Sequence, residues 1–448
     1  MSHFDCATVN RAARLCNPRI KRLARNLAQF GRVRPVAGVF SCLVFVLVAS
    51  LSARSTGTGS SPTVVAIGDV HGDFDSFCLI LEHVGLIDER HHWTGDGVTL
   101  VQTGDLLDRG PKARETIDLV AGLEGEASKS GGRVVALLGN HEMMNLMGDL
   151  RYVTQENYAS FADAKSEDTR KQAYEEYVDW RSAHQSLLAG VHQPVFEATE
   201  SGWMAKHPLG FIEQRRAFGP KGAYGKWIRE RHAVAEIDGL LFAHGGIAPG
   251  LTSLSLENIN GQIRNEMDAF DQAKQYLESE HLILPFFTLQ ELVAVVQAEI
   301  ASVDKSSAAP TELDWSRLKP FLEMDNWLSV REDGPLWYRG YDQWTDEEGE
   351  PLAQEVLEAY GAKHIVIAHT VQRSGRIRSR FMGKVFLIDT GMLSSYWPGG
   401  RASALEVRSD GSITARYSDG QEVLLGGANP QGVQRNQPSL SPPHQPNM

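Results

Sequence analysis

Apolar positions in this chain cluster in short, unbroken runs separated by longer stretches with helical spacing. Val64–Ile67, Leu100–Thr103, Val134–Leu138, Leu240–Ala243, Ile365–Ala368 and Val385–Ile388 read as strands. Strands alternating with helical patterns predict an α/β sandwich. Residues 150–190 are polar and helix-prone, and read as a helical insertion. Residues 251–330 read as a second insertion of the same kind. The folded body is expected over residues 63–424.

The ends break this pattern. Residues 36–53 form an apolar run without a charge, bounded by Arg34-Pro35 and Arg54. That length suits either a signal-peptide core or a short membrane anchor. Membrane contact is expected only through this run. The basic flank on its N-terminal side would leave residues 1–35 cytosolic and the body in the endomembrane lumen of the secretory pathway, released or membrane-anchored. An Arg-rich, acid-poor start also fits an organellar presequence, which makes the mitochondrial intermembrane space the alternative. Residues 54–62 read as a linker. Residues 425–448 form a Pro/Gln/Asn-rich tail expected to be disordered.

Charge narrows the partners. The net charge is -12, yet residues 1–35 carry eight Lys/Arg against Asp5 alone, which leaves the remainder at -19. So acidic a body supplies no excess of cations for a polyanion, and no nucleic-acid partner is expected. Beyond residue 42 the only cysteine is Cys78. An internal disulfide in the body and a cysteine-based metal site are both excluded. Cys78 itself reads as core.

Five of the strand-like runs end in residues able to hold a metal. They are followed by Gly68-Asp69-Val70-His71-Gly72, Gly104-Asp105-Leu106-Leu107-Asp108-Arg109-Gly110, Gly139-Asn140-His141-Glu142, His244-Gly245-Gly246 and His369-Thr370. In an open α/β sheet, ligands bind beyond the carboxyl ends of the strands. Strands sharing one sheet would therefore bring Asp69, His71, Asp105, Asn140, His244 and His369 to one crevice. Carboxylate, imidazole and amide oxygen suit hard and borderline metals. Asp105 can bridge two ions. Two metals about 3.5–4 Å apart lower the pKa of a shared water and clamp the phosphoryl oxygens of an in-line displacement. A bridging hydroxide then attacks phosphorus directly, so no protein nucleophile is required. By contrast, His91-His92 lies among loop-forming residues and reads as exposed.

Taken in this order, these blocks resemble the phosphoprotein phosphatase superfamily of calcineurin-like metallophosphoesterases, from about Val65 to Thr390. The resemblance implies a two-sheet β-sandwich flanked by helices. It implies that Asp69, His71 and Asp105 hold one metal, and that Asp105, Asn140, His244 and His369 hold the other. The pair would be divalent or trivalent ions, Mn, Fe or Zn. His141 would be the general acid, oriented by Asp108. Arg109 would grip the phosphate, with Asn140 also in reach of it. The segment Gly334-Pro335-Leu336-Trp337-Tyr338-Arg339-Gly340 resembles the signature of the Shewanella-like protein phosphatases. Ala368-His369-Thr370, Gln372 and Asp389-Thr390-Gly391-Met392 agree with it. Arg339 would be the second phosphate arginine, with Arg331 near enough in sequence to compete. Trp337 and Tyr338 either line the cleft or pack beside Arg339.

Two features depart from the eukaryotic Ser/Thr phosphatases. Leu138 stands where those enzymes carry an arginine, and residues 389–397 replace their C-terminal Ser-Ala-Pro-Asn-Tyr-type loop. The expected substrate is a phosphoprotein or phosphopeptide, on Ser/Thr or Tyr. The alternative is a small phosphoester or a dinucleotide polyphosphate.

Overall fold

The computed structural model describes residues 63–189, 191, 195–305 and 313–427. The basic segment, the apolar run 36–53, the linker 54–62 and the tail beyond Gly427 lie outside the described residues. Among the described residues no helix is long and apolar enough to cross a membrane.

Eleven strands are present among the described residues: β1 (Val64–Ile67), β2 (Thr99–Gln102), β3 (Arg133–Ala136), β4 (Val234–Ile237), β5 (Leu240–Ala243), β6 (His364–Ile367), β7 (Arg378–Arg380), β8 (Val385–Leu387), β9 (Ser403–Val407), β10 (Ile413–Tyr417) and β11 (Gly420–Leu425). They form a six-stranded sheet, β11-β10-β9-β1-β2-β3, and a five-stranded sheet, β4-β5-β6-β8-β7. Pairing is parallel at β1–β2, β2–β3, β5–β6 and β6–β8. It is antiparallel toward the edges.

The motif-bearing strands are thereby divided between the two sheets of the expected sandwich. β1, β2 and β3 belong to the first sheet, whereas β5 and β6 belong to the second. The period-2 alternation of strands explains how the sheets meet. Val64 and Ala66 of β1, Leu240 and Phe242 of β5, Val366 of β6 and Leu405 of β9 share one core between the sheets. Their neighbours Val65, Ile67, Leu241, Ala243, Ile365 and Ile367 point the other way, into a second core. That core includes helical residues such as Phe77 and Ile117. Both faces of the central strands are covered, so the runs show no polar interruption. Full burial of one such side chain contributes about 1.5–3 kcal/mol.

The helices are α1 (Phe74–His83), α2 (Ala113–Lys129), α3 (Asn140–Met147), α4 (Gln155–Phe161), α5 (Ser166–Ala183), α6 (Gln185–Leu188), α7 (Glu200–Lys206), α8 (Phe211–Phe218), α9 (Ala223–Arg229), α10 (Leu256–Ser279), α11 (Leu289–Lys305), α12 (Trp315–Leu322), α13 (Gly340–Gln343) and α14 (Asp346–Tyr360). The first insertion runs on past residue 190, through α9. The second is α10 to α12, as expected. In α10, Ile259, Ile263, Met267, Phe270, Ala273 and Leu277 form the buried stripe. Their three- and four-residue spacing is that of one helical face. Buried Glu266 interrupts it, but its two oxygens accept the backbone N–H groups of Leu328 and Ser329 at 2.8 and 2.9 Å.

Candidate metal centre

Each motif residue sits where a strand gives way to a turn. Asp69 and His71 follow β1, Asp105, Asp108 and Arg109 follow β2, and Asn140 and His141 open α3 after β3. His244 follows β5 and His369 follows β6. These turns are tight. His71, Asp105, Asp108, Arg109 and His369 have φ between +50° and +68°, five of the ten non-glycine residues with positive φ among the described residues. Such backbone costs on the order of 1–3 kcal/mol per residue and concentrates at functional sites. Gly104 and Gly139 permit close approach of two of these turns: a Cβ on Gly104 would lie 2.3 Å from the Gly139 nitrogen.

The sheets are joined at this edge by the site itself. The His369 N–H donates to Asp69 Oδ1 at 3.1 Å. His244 Nε2 lies 3.3 Å from Asp105 Oδ2 and 2.9 Å from Asn140 Oδ1. His71 Nε2 lies 3.6 Å from Asp69 Oδ2 and 3.7 Å from Asp105 Oδ2. Two groups emerge, His71–Asp105–His141 and Asp105–His244–His369, each with ligand-capable atoms within 4.8 Å of one another. They share Asp105. All six expected ligands are buried.

The donor set fits cations. His71 Nδ1 donates to the Leu107 carbonyl at 2.9 Å, and His244 Nδ1 to the Thr103 carbonyl at 3.0 Å. A carbonyl only accepts, so each Nε2 presents a lone pair to the site, the usual arrangement of a metal-bound histidine. At His244 that lone pair faces two more acceptors, Asn140 Oδ1 and Asp105 Oδ2. His71 Nε2 and His369 Nε2 are buried without a hydrogen-bond partner. Buried acceptors facing one another are stable only around a positive charge.

Electrostatics agree. Burial, then the neighbouring Asp389, push Asp69 well above the ordinary carboxylate range. Burial alone would raise Asp105 too, but His244, His141 and His71 hold it well below. Burial, then Arg109, push His71 well below its usual value, and burial with Arg339 does the same to His369. Neutral imidazole is the form that binds metal. His244 is the exception: burial opposes its charge, yet Asp105 and Asp69 raise it to about 9, so those carboxylates hold on Nε2 a proton that a cation between them would displace.

The family model for calcineurin-like phosphoesterases matches residues 62–373. The chain belongs to this family. An uncharacterized protein of Schizosaccharomyces pombe is 31% identical to the phosphoesterase over 341 residues, 75% of each chain. Shewanella-like protein phosphatase 1 of Plasmodium berghei is 27% identical, covering 73% of this chain and 67% of its own. A cold-active protein-tyrosine phosphatase from a psychrophilic Shewanella shares the fold, with a TM-score of 0.51 and 24% identity over 81% of this chain and 80% of its own.

Around the metal groups the phosphoesterase arranges its remaining polar residues. His141 Nδ1 meets Asp108 Oδ2 at 2.7 Å, and Asn145 Nδ2 donates to Asp108 Oδ1 at 2.9 Å. Arg109 Nη2 is 3.3 Å from His141 Nε2. Arg339 Nη1 donates to the His369 carbonyl at 3.2 Å and to Thr370 Oγ1 at 2.9 Å. Its rival Arg331 instead pairs with Asp333 in a partly exposed ion pair. Trp337 packs, donating from Nε1 to the Ser329 carbonyl at 3.0 Å. Cys78 is buried, and His92 is exposed beside Glu126.

Sequence reasoning placed no role on four residues of the site. Asp389 follows β8 and leaves Oδ2 buried without a partner. Its signal was present, since the run Val385–Ile388 ends in it as the other runs end in theirs. Glu142 accepts the N–H groups of Asp105 and Gly139 at 2.8 Å and of Leu106 at 2.9 Å. It fixes the second and third blocks to each other. Tyr396 places its ring 3.9 Å from the Arg109 guanidinium carbon, and Tyr152 stands at 5.3 Å from it. No local pattern distinguishes either tyrosine.

Proposed function

We propose that this phosphoesterase hydrolyses phosphate monoesters on proteins, with Arg109 and Arg339 as the phosphate anchors and His141 as the proton donor. The observation that carries the reading is the shared carboxylate of Asp105, with Arg109 and His141 beside it. That arrangement can hold two cations and a phosphate at once. Two bound ions supply Lewis acidity and a water of lowered pKa. The chain's own residues do the rest. Arg109 presents its guanidinium for two-point recognition of phosphoryl oxygens, held in place by Tyr396. Arg339 does so from the turn that enters α13, tied to Thr370. His141 Nε2, facing Arg109, delivers a proton to the leaving oxygen, and Asp108 fixes the imidazole ring. A protein substrate is supported by the relative named a protein phosphatase, which aligns over most of the body.

The test is phosphate release from phosphoserine, phosphothreonine and phosphotyrosine peptides, run beside a dinucleotide polyphosphate, on protein loaded in turn with manganese, iron and zinc. Turnover of a phosphopeptide, lost in Asp105→Asn, is the expected result. Turnover of the nucleotide alone would replace this reading with dinucleotide hydrolysis. Residues 36–53 would place the body in the secretory lumen or between two organelle membranes. Protease protection in intact microsomes and in mitochondria separates these destinations.

A further inference from the structure

Asp389 has been given no work so far, and its place in the fold suggests one. β6 and β8 run parallel with Ile367 opposite Leu387. His369 and Asp389 each lie two residues further on, so they leave the five-stranded sheet side by side. The six-stranded sheet meets them there. A Cβ on Gly68 would lie 2.8 Å from the Ile388 carbonyl oxygen and 3.2 Å from the Asp389 nitrogen. The backbone that delivers Asp69 is thus packed against the backbone that delivers Asp389. Asp69 Oδ1 accepts the His369 N–H at 3.1 Å, which closes the group of three.

Asp389 is 1% exposed. Its Oδ1 accepts the Gly391 N–H at 2.9 Å, and its Oδ2 is buried without a partner. Its side chain meets that of Asp69, whose carboxyl is pushed up by burial and then by Asp389. Arg109 and His244 oppose the charge of Asp389 from further off, and each is engaged elsewhere. Arg109 faces His141 and Tyr396, and His244 faces Asp105 and Asn140. Two ionised carboxylates offer acceptors only, so a proton or a cation must lie beside them. The neighbours favour a cation. His71 Nε2 lies 3.6 Å from Asp69 Oδ2, and it and His369 Nε2 are also buried without partners. A directly ligated ion sits about 2.0–2.2 Å from its oxygen or nitrogen, so these atoms need no opening to solvent to receive it.

On the two-cation reading of this centre, we propose that Asp389 is a further carboxylate of it, a positioning residue beside Asp69 whose charge raises the affinity of the ion that Asp69 and His71 hold. Removing that charge weakens the ion without dismantling the turn, because an amide oxygen at the same place still accepts from Gly391.

The test is metal binding by the full chain, with Mn(II) titrated against a fluorescent chelator. The wild type should take up two ions. Asp389→Asn should hold one of them about 10- to 100-fold more weakly, the range usual for groups that support a ligand. Thermal unfolding separates this role from a structural one. Without metal, Asp389→Asn should melt no lower than the wild type, since the repulsion with Asp69 is gone. At equal Mn(II), the wild type should gain more in melting temperature than the variant. Two ions held as tightly in Asp389→Asn as in the wild type would overturn the proposal, and so would a lower melting temperature without metal. Unaltered metal affinity with a raised KM for p-nitrophenyl phosphate would overturn it in favour of a role in placing Arg109. Fewer than two ions in the wild type would overturn the two-cation centre and the role of Asp389 with it. The binding and unfolding arms use no substrate, so they stand apart from the choice between phosphoprotein and nucleotide.

Discussion

The Asp108 carboxylate and the His141 imidazole meet at 2.7 Å, and both side chains are buried. One carboxylate oxygen holds the ring and the other is held by Asn145. The His141 ring is thus oriented from behind, while its Nε2 faces Arg109.

Asp108→Asn keeps the shape but lets the amide present a donor to Nδ1, disfavouring the orientation. A loss in kcat of about 100-fold or more is expected, with KM nearly unchanged, in line with the usual contribution of a positioned acid. Metal content should stay at the wild-type level by elemental analysis. A drop in bound metal would instead give Asp108 a part in building the metal site.

Asp105 belongs to both ligand groups, whereas Asp69 lies beside the first through His71. Asp105→Asn should therefore deplete both metals after dialysis, and Asp69→Asn mainly one. Stripping the wild-type metals should abolish turnover, and readdition of Mn, Fe or Zn should restore it. Equal depletion in the two variants would contradict a bridging role for Asp105.

Tyr396 is partly exposed, with its ring against the Arg109 guanidinium. A cation–π contact of this kind contributes about 1 kcal/mol. Tyr396→Leu should raise KM for p-nitrophenyl phosphate about five-fold and change kcat less. Tyr396→Phe, which keeps the ring, should behave like wild type. A large kcat effect in Tyr396→Phe would point to the hydroxyl instead.

His207 gives a pH prediction away from the metals. It is buried, stacked on Trp203 with ring centroids 4.0 Å apart, and bonded through Nδ1 to the Trp203 carbonyl at 2.8 Å. Burial lowers it from 6.5 to about 4. The folded form resists protonation that the unfolded chain accepts, so stability falls as pH drops from about 6.5 toward 4. Linkage makes this about 2 kcal/mol between pH 7 and 5. In His207→Phe, urea unfolding at the two pH values should differ by that much less. An unchanged difference would remove His207 from the acid response.

The fold class and the candidate ligands were legible along the chain because each strand and the turn that follows it are contiguous. A run such as Val64–Ile67 is continuously apolar, and Asp69 and His71 follow within four residues. β9 to β11 were not read as strands. β9 and β11 mix polar and apolar residues without a period, β10 alternates over only five residues, and all three gain their identity from antiparallel pairing toward the sheet edge. β7, Arg378-Ser379-Arg380, has no apolar residue and exists only because β8 pairs with it.

The chain alone also supplied which residue types could meet, and left open how they meet. The tertiary structure decided that the turns come from two sheets packed face to face. Inner side chains such as Ala66, Phe242 and Val366 set that packing, and no local window contains all three. It placed Arg339 against His369 and Thr370, and Arg331 against Asp333. It brought Tyr396 onto Arg109, and it brought Arg215 to donate from Nη1 to the Asn145 carbonyl. These last contacts join residues far apart in sequence, and only the packing of the whole body brings them together.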